Sequence, residues 1–490
     1  MSTAARLLAS IVVAASTALA CADVGDGRGY DTRAAFVVDR LAVDNSDLMD
    51  RSPILAAGKL AAMAESPYAF FRGSLRLFAE DCTTPGSPCP ATADGTADAA
   101  GMALIGDPHV ENLGSYRAPD GTFLVDFNDF DAATYGPYWF DLRRLALSFA
   151  LADDAILGPD SAPGTTAERR AEVATVAASY VDEILRLADG RGTPLDATRV
   201  RPLAALLGNA AADGLQRKEL TDDTTLVGGA RRLRTGAGSD AGADTLLPVS
   251  AAERTLAQQA FAQYPATALG AVQPTLEGLE LQDVARRLGA GVASQASLRL
   301  YVVARPRGGL SAGDRLLEFK EVRDLPVPLW LGEPSRPFTD NATRVVTLQR
   351  ALQIRPDADA FLGWAVEGRL SFRIRERTAY QKRLAVTSLA EDFAAGDLTT
   401  DDLRALAAFA GRRLADAHAH APDIRGRPGL ADVLGALAAA GDPDGRALIA
   451  ETVNFAESYR EVVRSDFQAF RRALQRSGPL LGHRFSPETL

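Results

Sequence analysis

Residues 106–131 read GDPHVENLGSYRAPDGTFLVDFNDFD, and they place two polar loops beside short apolar strands. The apolar run MALIG precedes the first loop, and Pro119-Asp120-Gly121 predicts a turn before the strand TFLVDF. After the second loop, NDFDAATYGP, the helical pattern WFDLRRLALSFALA begins. This compact order of strand, loop, strand, loop and helix predicts a site built from acidic loops at strand ends.

The spacing within these loops is that of an enzyme transferring phosphoryl groups. Four residues separate Asp107 from Asn112, as in the catalytic loop of protein kinases, where the Asp orients the attacking hydroxyl and the Asn holds a metal ion. Asp126 follows Asn112 by fourteen positions, where such enzymes place their main Mg²⁺-binding carboxylate. The spacing thus predicts Asp107 as catalytic base and Asn112 and Asp126 as metal ligands.

Three further acids, Asp129, Asp131 and Asp141, crowd the same region. Such carboxylates repel one another unless cations or hydrogen bonds compensate, so a bound Mg²⁺ or Mn²⁺ explains them economically, with Asp129 as a third ligand. His109 is expected to pin its loop by hydrogen bonding to a carboxylate or carbonyl. The alternative is that both loops are ordinary turns whose Asp and Asn side chains cap backbone groups.

Outside this region, helical and alternating patterns succeed one another along the chain. Helical spacing covers residues 52–79, most of 164–220 and the chain from Asp401, whereas two strand pairs are expected, SLRLYVVARP with DRLLEFKEV and FLGWAV with RLSFRIRE. The Gly-rich segment 228–245 is expected to be a mobile loop. The fold class predicted is therefore α+β, helix-rich with a small antiparallel sheet.

Composition and the N-terminus limit the partners and the compartment. A net charge of −10 without a dense Lys/Arg stripe argues against nucleic-acid binding. Residues 1–20 resemble a signal peptide, and their apolar run is too short to span a membrane, so no transmembrane segment is expected. We expect an exported protein that is periplasmic, secreted, or lipid-anchored at the surface through Cys21. Cys82 and Cys89 then predict a local disulfide.

These motifs together carry a resemblance to a family. The order GDPHVEN, LVDFNDFD and WFDLRRL, with SPYAFFRGS (66–74), LLEFKE (316–321), RIRE (373–376) and LADAHAHA (414–421), resembles the bacterial family called domain of unknown function 2252. That family is itself similar to aminoglycoside phosphotransferases and other protein-kinase-like enzymes. The resemblance covers most of residues 50–475.

The resemblance implies a two-lobed, kinase-like fold that uses ATP or another nucleotide. Lys320 would be the phosphate-binding lysine, and the segment from Gly289 to Ser297 the loop that covers the phosphates, with Gly289, Gly291 and Ser294 as binding residues. These elements follow the catalytic loop by some two hundred residues instead of preceding it, so the order looks circularly permuted. Ala293 and Ala296 stand where glycines would be expected.

The roles of several residues stay open. Arg72, Arg144 and Arg375 either contact phosphate or form structural salt bridges, and Gln349 is a candidate to replace the missing Glu partner of Lys320. Asp107 with His109, and the pair His418 and His420, could instead hold the metal of a phosphoesterase. The spacing of that pair along a helix points the imidazoles apart, so one would face the core and the other the solvent.

The expected organisation is a signal peptide (1–20), an arm (21–50), a helical lobe with the acidic loops (51–280), a β-rich nucleotide lobe (281–385) and C-terminal helices (386–490). The expected function is Mg²⁺-dependent transfer of a phosphoryl group from a nucleotide to a hydroxyl of an unknown small molecule or protein. Two alternatives are kept, a non-catalytic kinase-fold binding protein and a metal-dependent phosphoesterase.

Overall fold

A computed structural model of the chain describes residues 32–90, 92, 101–192, 194–236, 245–288, 297–324 and 338–483. The predicted signal peptide, Cys21 and the predicted nucleotide-binding residues Gly289, Gly291 and Ser294 lie outside these ranges. Among the helices that are described, none combines the length and the apolar character needed to cross a bilayer.

The helices of the described ranges account for most of the ordered backbone. In chain order they are α1 (Arg33–Arg51), α2 (Pro53–Met63), α3 (Pro67–Gly73), α4 (Leu75–Thr83), α5 (Tyr138–Ile156), α6 (Thr165–Ala188), α7 (Arg201–Leu215), α8 (Lys218–Asp223), α9 (Ala251–Gln263), α10 (Gln273–Glu277), α11 (Asn341–Leu352), α12 (Val386–Ala395), α13 (Thr400–His420), α14 (Gly429–Ala440) and α15 (Arg446–Ser477).

The strands are shorter and pair in antiparallel fashion. They are β1 (Met102–Leu104), β2 (Leu113–Arg117), β3 (Phe123–Phe127), β4 (Thr134–Gly136), β5 (Thr224–Val227), β6 (Ala230–Leu233), β7 (Leu246–Pro248), β8 (Leu279–Arg287), β9 (Arg299–Pro306), β10 (Arg315–Val322), β11 (Gly363–Glu367) and β12 (Leu370–Glu376). A helix-rich α+β architecture with small antiparallel sheets is therefore confirmed.

The chain forms two compact units, one from residues up to Pro90 and from Glu461 onward, the other from Ala91–Arg460. The acidic loops and the β-rich region both fall in the second unit.

The first unit is helical. Its α1 covers Arg33–Arg51, within the region where an arm is expected over residues 21–50. Phe36, Leu41 and Leu48 give that helix an apolar face, which the buried Asn45 interrupts in the sequence. Arg33 forms ion pairs with the buried Asp81 and Asp466. The predicted disulfide between Cys82 and Cys89 is present.

The largest sheet of the second unit has six strands in the order β11-β12-β10-β9-β8-β7. Alternation along its strands sends Leu317, Phe319, Phe372 and Ile374 to one face, where they form an apolar core with residues of α9 such as Ala260. On the other face, a smaller apolar cluster includes Tyr301, Val303 and Leu316. That second face also carries the charged side chains of Glu318, Lys320, Arg373 and Arg375.

The strand pairs predicted from alternation, β9 with β10 and β11 with β12, are both present. The loop expected over 228–245 is partly a hairpin instead, because Gly228 and Gly229 both adopt positive φ, 57° and 79°, and turn β5 directly into β6. Residues 237–244 of that segment lie outside the described ranges.

The acidic loops are carried by the hairpin of β2 and β3, with Leu113 opposite Phe127. The chain that leaves β12 returns along this hairpin: the Ser115 N–H donates to Lys382 O at 2.9 Å, and the Leu384 N–H donates to Leu113 O at 3.1 Å. The sheet and the acidic hairpin are thus tied together by the backbone itself.

Candidate functional site

The two acidic loops are held together by one side chain, that of Asn112, which is 1% exposed. Its Oδ1 accepts hydrogen bonds from the backbone N–H groups of Asn128 and Asp129 at 2.9 and 2.7 Å. Its Nδ2 donates to the carbonyl oxygens of Asp107 and Asp129 at 3.1 and 2.9 Å. An amide has two acceptor and two donor positions, so all four are used. Asn112 therefore clamps the two loops together, and its role as a metal ligand stays a prediction.

Two glycines permit the close approach that this clamp requires. Gly106 has a φ of +82°, and a Cβ built on it would lie 2.0 Å from the carbonyl oxygen of Ala132 in the second loop. A Cβ on Gly114 would lie 2.0 Å from Nδ2 of Asn128. A larger residue at either position would push the loops apart.

Asp107 is fixed by an ion pair with Arg144 of α5, whose Nε donates to Asp107 Oδ1 at 2.8 Å. The arginine is fully buried, whereas the carboxylate keeps 17% of its surface exposed. The question left open by the sequence is therefore answered for Arg144: it forms a salt bridge to the predicted catalytic base. Asp107 remains an oriented, partly accessible carboxylate.

Asp126, predicted as the main metal ligand, forms a buried ion pair. Arg413 of α13 donates from Nε to Asp126 Oδ1 at 3.0 Å, and both side chains are no more than 2% exposed. The N–H groups of Phe127 and Ile354 also donate to this carboxylate, at 2.8 and 3.1 Å. Arg413 was missed in the sequence because 287 residues separate it from its partner.

Asp141 is hydrogen-bonded to the start of the first loop. Its carboxylate accepts hydrogen bonds from the N–H groups of Ile105 and Gly106 at 2.7 and 3.0 Å. His418 contacts the same carboxylate through Nε2 at 3.2 Å and Tyr180 through Nδ1 at 3.0 Å. Asp141 is a positioning residue, and the predicted orientation of the histidine pair is confirmed, since His418 is buried and His420 exposed.

Asp129 and Asp131 are the acids that remain accessible, with side chains 50% and 28% exposed. Lys320 of β10 reaches both from the charged face of the sheet, with Nζ 2.5 Å from Asp131 Oδ2 and 3.7 Å from Asp129 Oδ1. Arg373 of β12 lies beside them, its Nη1 3.4 Å from Asp131 Oδ1. Burial raises the pKa of Asp129, but Lys320 and Arg373 outweigh burial and hold that pKa below its ordinary value.

Glu318 lies two residues before Lys320 on the same face of the sheet and forms ion pairs with four arginines. Its carboxylate lies 3.2 Å from Arg299, 3.7 Å from Arg373 and 3.6 Å from both Arg375 and Arg377. Burial raises the pKa of Glu318, but the arginine charges dominate and place it below its ordinary value, so this buried acid is ionised. Arg375 is thus engaged by Glu318 within the protein.

Gln349 does not pair with Lys320, contrary to the sequence expectation. Its Nε2 donates to Asp359 Oδ2 at 3.1 Å and to Gln353 Oε1 at 3.4 Å. The partners of Lys320 are the loop acids Asp129 and Asp131. An unforeseen neighbour, Arg344 of α11, supports that loop by donating to the carbonyl oxygens of Asp131, at 3.1 Å, and Ala133.

The structure also locates two other predicted site residues, His109 and Arg72, and shows no chemical role for either. His109 is buried directly before the 3-10 turn Val110–Asn112, and its electrostatic interaction with Asp129 lowers the pKa of that acid. Arg72 lies in the first unit, with its guanidinium 6.0 Å from the centre of the Tyr68 ring.

Among the described residues, no group of three or more His, Cys, Asp or Glu side chains forms a ready metal cage. Asp129 and Asp131 nevertheless suit Mg²⁺, which proteins usually hold by one or two carboxylates together with phosphate oxygens and water. Asp131 Oδ1 is buried and accepts no hydrogen bond from the described residues. This acceptor and the exposed Asp129 are the oxygens that would hold such an ion.

One family model matches residues 51–473, and its description reads "Uncharacterized protein conserved in bacteria (DUF2252)". Neither the curated proteins nor the solved structures contain a match to the chain.

Proposed function

Since the chain belongs to the DUF2252 family, whose description assigns no activity, we propose from the site's geometry that it is an exported, Mg²⁺-dependent, kinase-like phosphotransferase. It transfers a phosphoryl group from a nucleotide to a hydroxyl of a small molecule or protein. One observation carries the proposal: the strand lysine Lys320 meets Asp129 and Asp131 in a loop that Asn112 clamps to the loop of Asp107.

Phosphoryl transfer suits this arrangement because it needs positioning and charge neutralisation more than covalent chemistry. Asp107, held by Arg144, orients the acceptor hydroxyl and takes its proton as the oxygen attacks the terminal phosphorus. A new O–P bond forms while the bond to the leaving phosphate chain breaks. Lys320 binds that chain. A Mg²⁺ ion held by Asp129 and Asp131 would neutralise phosphate charge.

The packing at the end of α13 supports the permuted order. The Ile424 N–H donates to Gly101 O at 2.9 Å, so the chain that follows α13 runs beside the residue preceding β1. A helix that leads spatially into the first acidic loop is what a kinase-like site with rearranged connectivity requires. His418 of α13 also contacts Asp141 of α5, whose carboxylate accepts hydrogen bonds from Ile105 and Gly106 directly after β1.

The test is calorimetric titration of the purified protein with ATP and Mg²⁺, followed by measurement of phosphate release to water. Lys320→Met should weaken binding by roughly tenfold or more, since a charge-assisted contact is lost. Asp107→Asn should keep binding but slow phosphate release by on the order of 100-fold. Arg307→Gln, at a 73% exposed arginine in the turn directly after β9, is the control.

Wild-type protein without saturable binding, or Lys320→Met protein that binds as wild type does, would overturn the proposal. Tight binding without any turnover would favour the non-catalytic binding protein instead. Melting curves for each variant separate lost binding from lost folding.

A further inference from the structure

Three cations lie directly opposite one another on neighbouring strands of the large sheet. Lys320 of β10 pairs in register with Arg299 of β9 and with Arg373 of β12. Like charges facing each other across strands destabilise a sheet. These three residues, the cation row, are also largely withdrawn from solvent, with Lys320 and Arg373 only 3% and 2% exposed. Their arrangement therefore opposes stability.

The carboxylates around the cation row are shared and do not match it one to one. Glu318 is divided among Arg299, Arg373, Arg375 and Arg377, and Asp129 and Asp131 are each shared between Lys320 and Arg373. A further buried acid, Asp359, interacts electrostatically with Arg375 and Arg373. Each of these carboxylates thus faces at least two cations.

Arg373 has hydrogen-bonding capacity to spare in this setting. Its Nη1 is in ion pairs with Asp129 and Asp131, but neither Nη1 nor Nε donates a hydrogen bond to any described residue, although the side chain is almost completely buried. Buried donors are normally satisfied because an unmade hydrogen bond is costly. A guanidinium presents its donors in a planar fork that matches phosphate oxygens. Arg373 is therefore prepared for an anion that supplies several acceptors.

The shape of the row indicates what kind of anion fits. Adjacent strands lie about 4.8 Å apart, so three strands place cations along roughly 10 Å. A single phosphate cannot contact all three, whereas a chain of linked phosphates can. The cation row would recognise such a chain through its side chains.

We propose that Arg299, Lys320 and Arg373 bind a linear phosphoanhydride chain through its charge, without needing an attached nucleoside. The ligand is either the triphosphate of a nucleotide or inorganic polyphosphate, which share this chemistry. The proposal rests on the proposed function in that Lys320 serves both, and it extends that function by assigning recognition of the donor to the phosphates.

The experiment titrates the full protein with sodium tripolyphosphate, with orthophosphate and with ATP, each with and without Mg²⁺. Tripolyphosphate should bind about as tightly as ATP, and orthophosphate far more weakly. Arg373→Gln and Arg299→Gln should each weaken tripolyphosphate binding by roughly 10- to 100-fold. Arg373→Lys, which keeps the charge but loses the fork, should lie between. Arg307→Gln should bind as wild type does.

Each outcome bears on one claim. Lys320-dependent binding of ATP without binding of tripolyphosphate would overturn this inference and leave the proposed function standing. Arg373-dependent binding of tripolyphosphate without transfer from any donor would support the anion site and overturn the phosphotransferase. Unchanged affinity in both glutamine variants would refute the cation row, and if one variant fails to fold, the other decides.

Discussion

At the scale of single residues, Asn112 stands where the spacing predicts a catalytic loop, and all the hydrogen-bonding positions of its amide are occupied by backbone groups. The spacing D-x-x-x-x-N identified the residue, but spacing does not reveal that both amide atoms of Asn112 are spent on Asp107, Asn128 and Asp129. The carboxylates left for a cation are Asp129 and Asp131.

Replacing Asn112 should therefore change stability first. Asn112→Ala removes the side-chain partner of the Asp129 N–H and of the Asp107 and Asp129 carbonyl oxygens, while the Asn128 N–H keeps its bond to the backbone oxygen of residue 112. The free energy of unfolding should therefore fall by about 3 kcal/mol. Asn112→Asp keeps the acceptor but loses both donors, and should be destabilised similarly. Urea denaturation followed by circular dichroism measures both.

Asn209→Ala, at an exposed position of α7, is the matched control and should leave the unfolding midpoint nearly unchanged. If Asn112→Asp were as stable as wild type and bound Mg²⁺ more tightly, the metal-ligand assignment would be right and the clamp wrong.

At the scale of elements, the contact between the two loops depends on Gly106. Gly106→Ala must bear both a positive φ and a clash of its Cβ with Ala132 O. Gly158→Ala meets the same backbone strain, with a φ of +87°, but its Cβ has no neighbour within 4 Å.

We expect Gly158→Ala to lower the free energy of unfolding by about 1 kcal/mol. Gly106→Ala should cost clearly more and should also abolish binding at the site, as thermal melting and ATP titration would show. Equal losses of stability in the two variants would mean that the loops can separate without harm.

The elements that the sequence predicted are those whose pattern is local. The helices α5 and α13 and the hairpin of β9 and β10 carry their periodicity in consecutive residues. In contrast, β2 hydrogen-bonds through Ser115 to Lys382, which lies 267 residues further along the chain. In α1, polar residues separate the apolar ones in the sequence, so the apolar face is hard to recognise. Long-range pairing leaves no local signal to read.

At the scale of the whole molecule, stability should depend on pH through a buried acid pair, Asp153 of α5 and Glu172 of α6. Each is 1% exposed. Burial raises the pKa of Glu172 to about 7, and burial with the charge of Glu172 raises that of Asp153 well above its ordinary value. Both lie above the values for unfolded chains, about 4.

The folded protein therefore binds more protons than the unfolded chain between about pH 4.5 and pH 7, so its stability should fall as the pH rises through that range. Asp153→Asn removes one of the charges and should stabilise the protein at pH 8 by on the order of 2 kcal/mol while flattening the profile. Urea titrations at pH 5, 6, 7 and 8 measure this.

Asp189→Asn, at a 59% exposed acid, should follow the wild-type profile. An Asp153→Asn profile as steep as that of wild type would assign the pH dependence to other groups.

The candidate site was only partly predictable because its partners are distant in sequence. Asp107 and Lys320 could be named from motifs, and RIRE already contained Arg373. That Arg373 faces Lys320, or that Arg413 neutralises Asp126, depends on strand register and helix packing that no motif records. Sequence patterns supplied candidates, and burial decided which carboxylates stayed accessible.

The contact of His418 with Asp141 also has a consequence for biosynthesis. The two residues are 277 positions apart. A ribosome adding about 5 to 20 residues per second takes roughly 15 to 55 seconds to cover that distance. Throughout that interval the emerging chain already contains both acidic loops and Asp141, whereas the part of α13 that contacts Asp141 has yet to be made. The contact of His418 with Asp141 can therefore form only late in translation, when most of the polypeptide has been made.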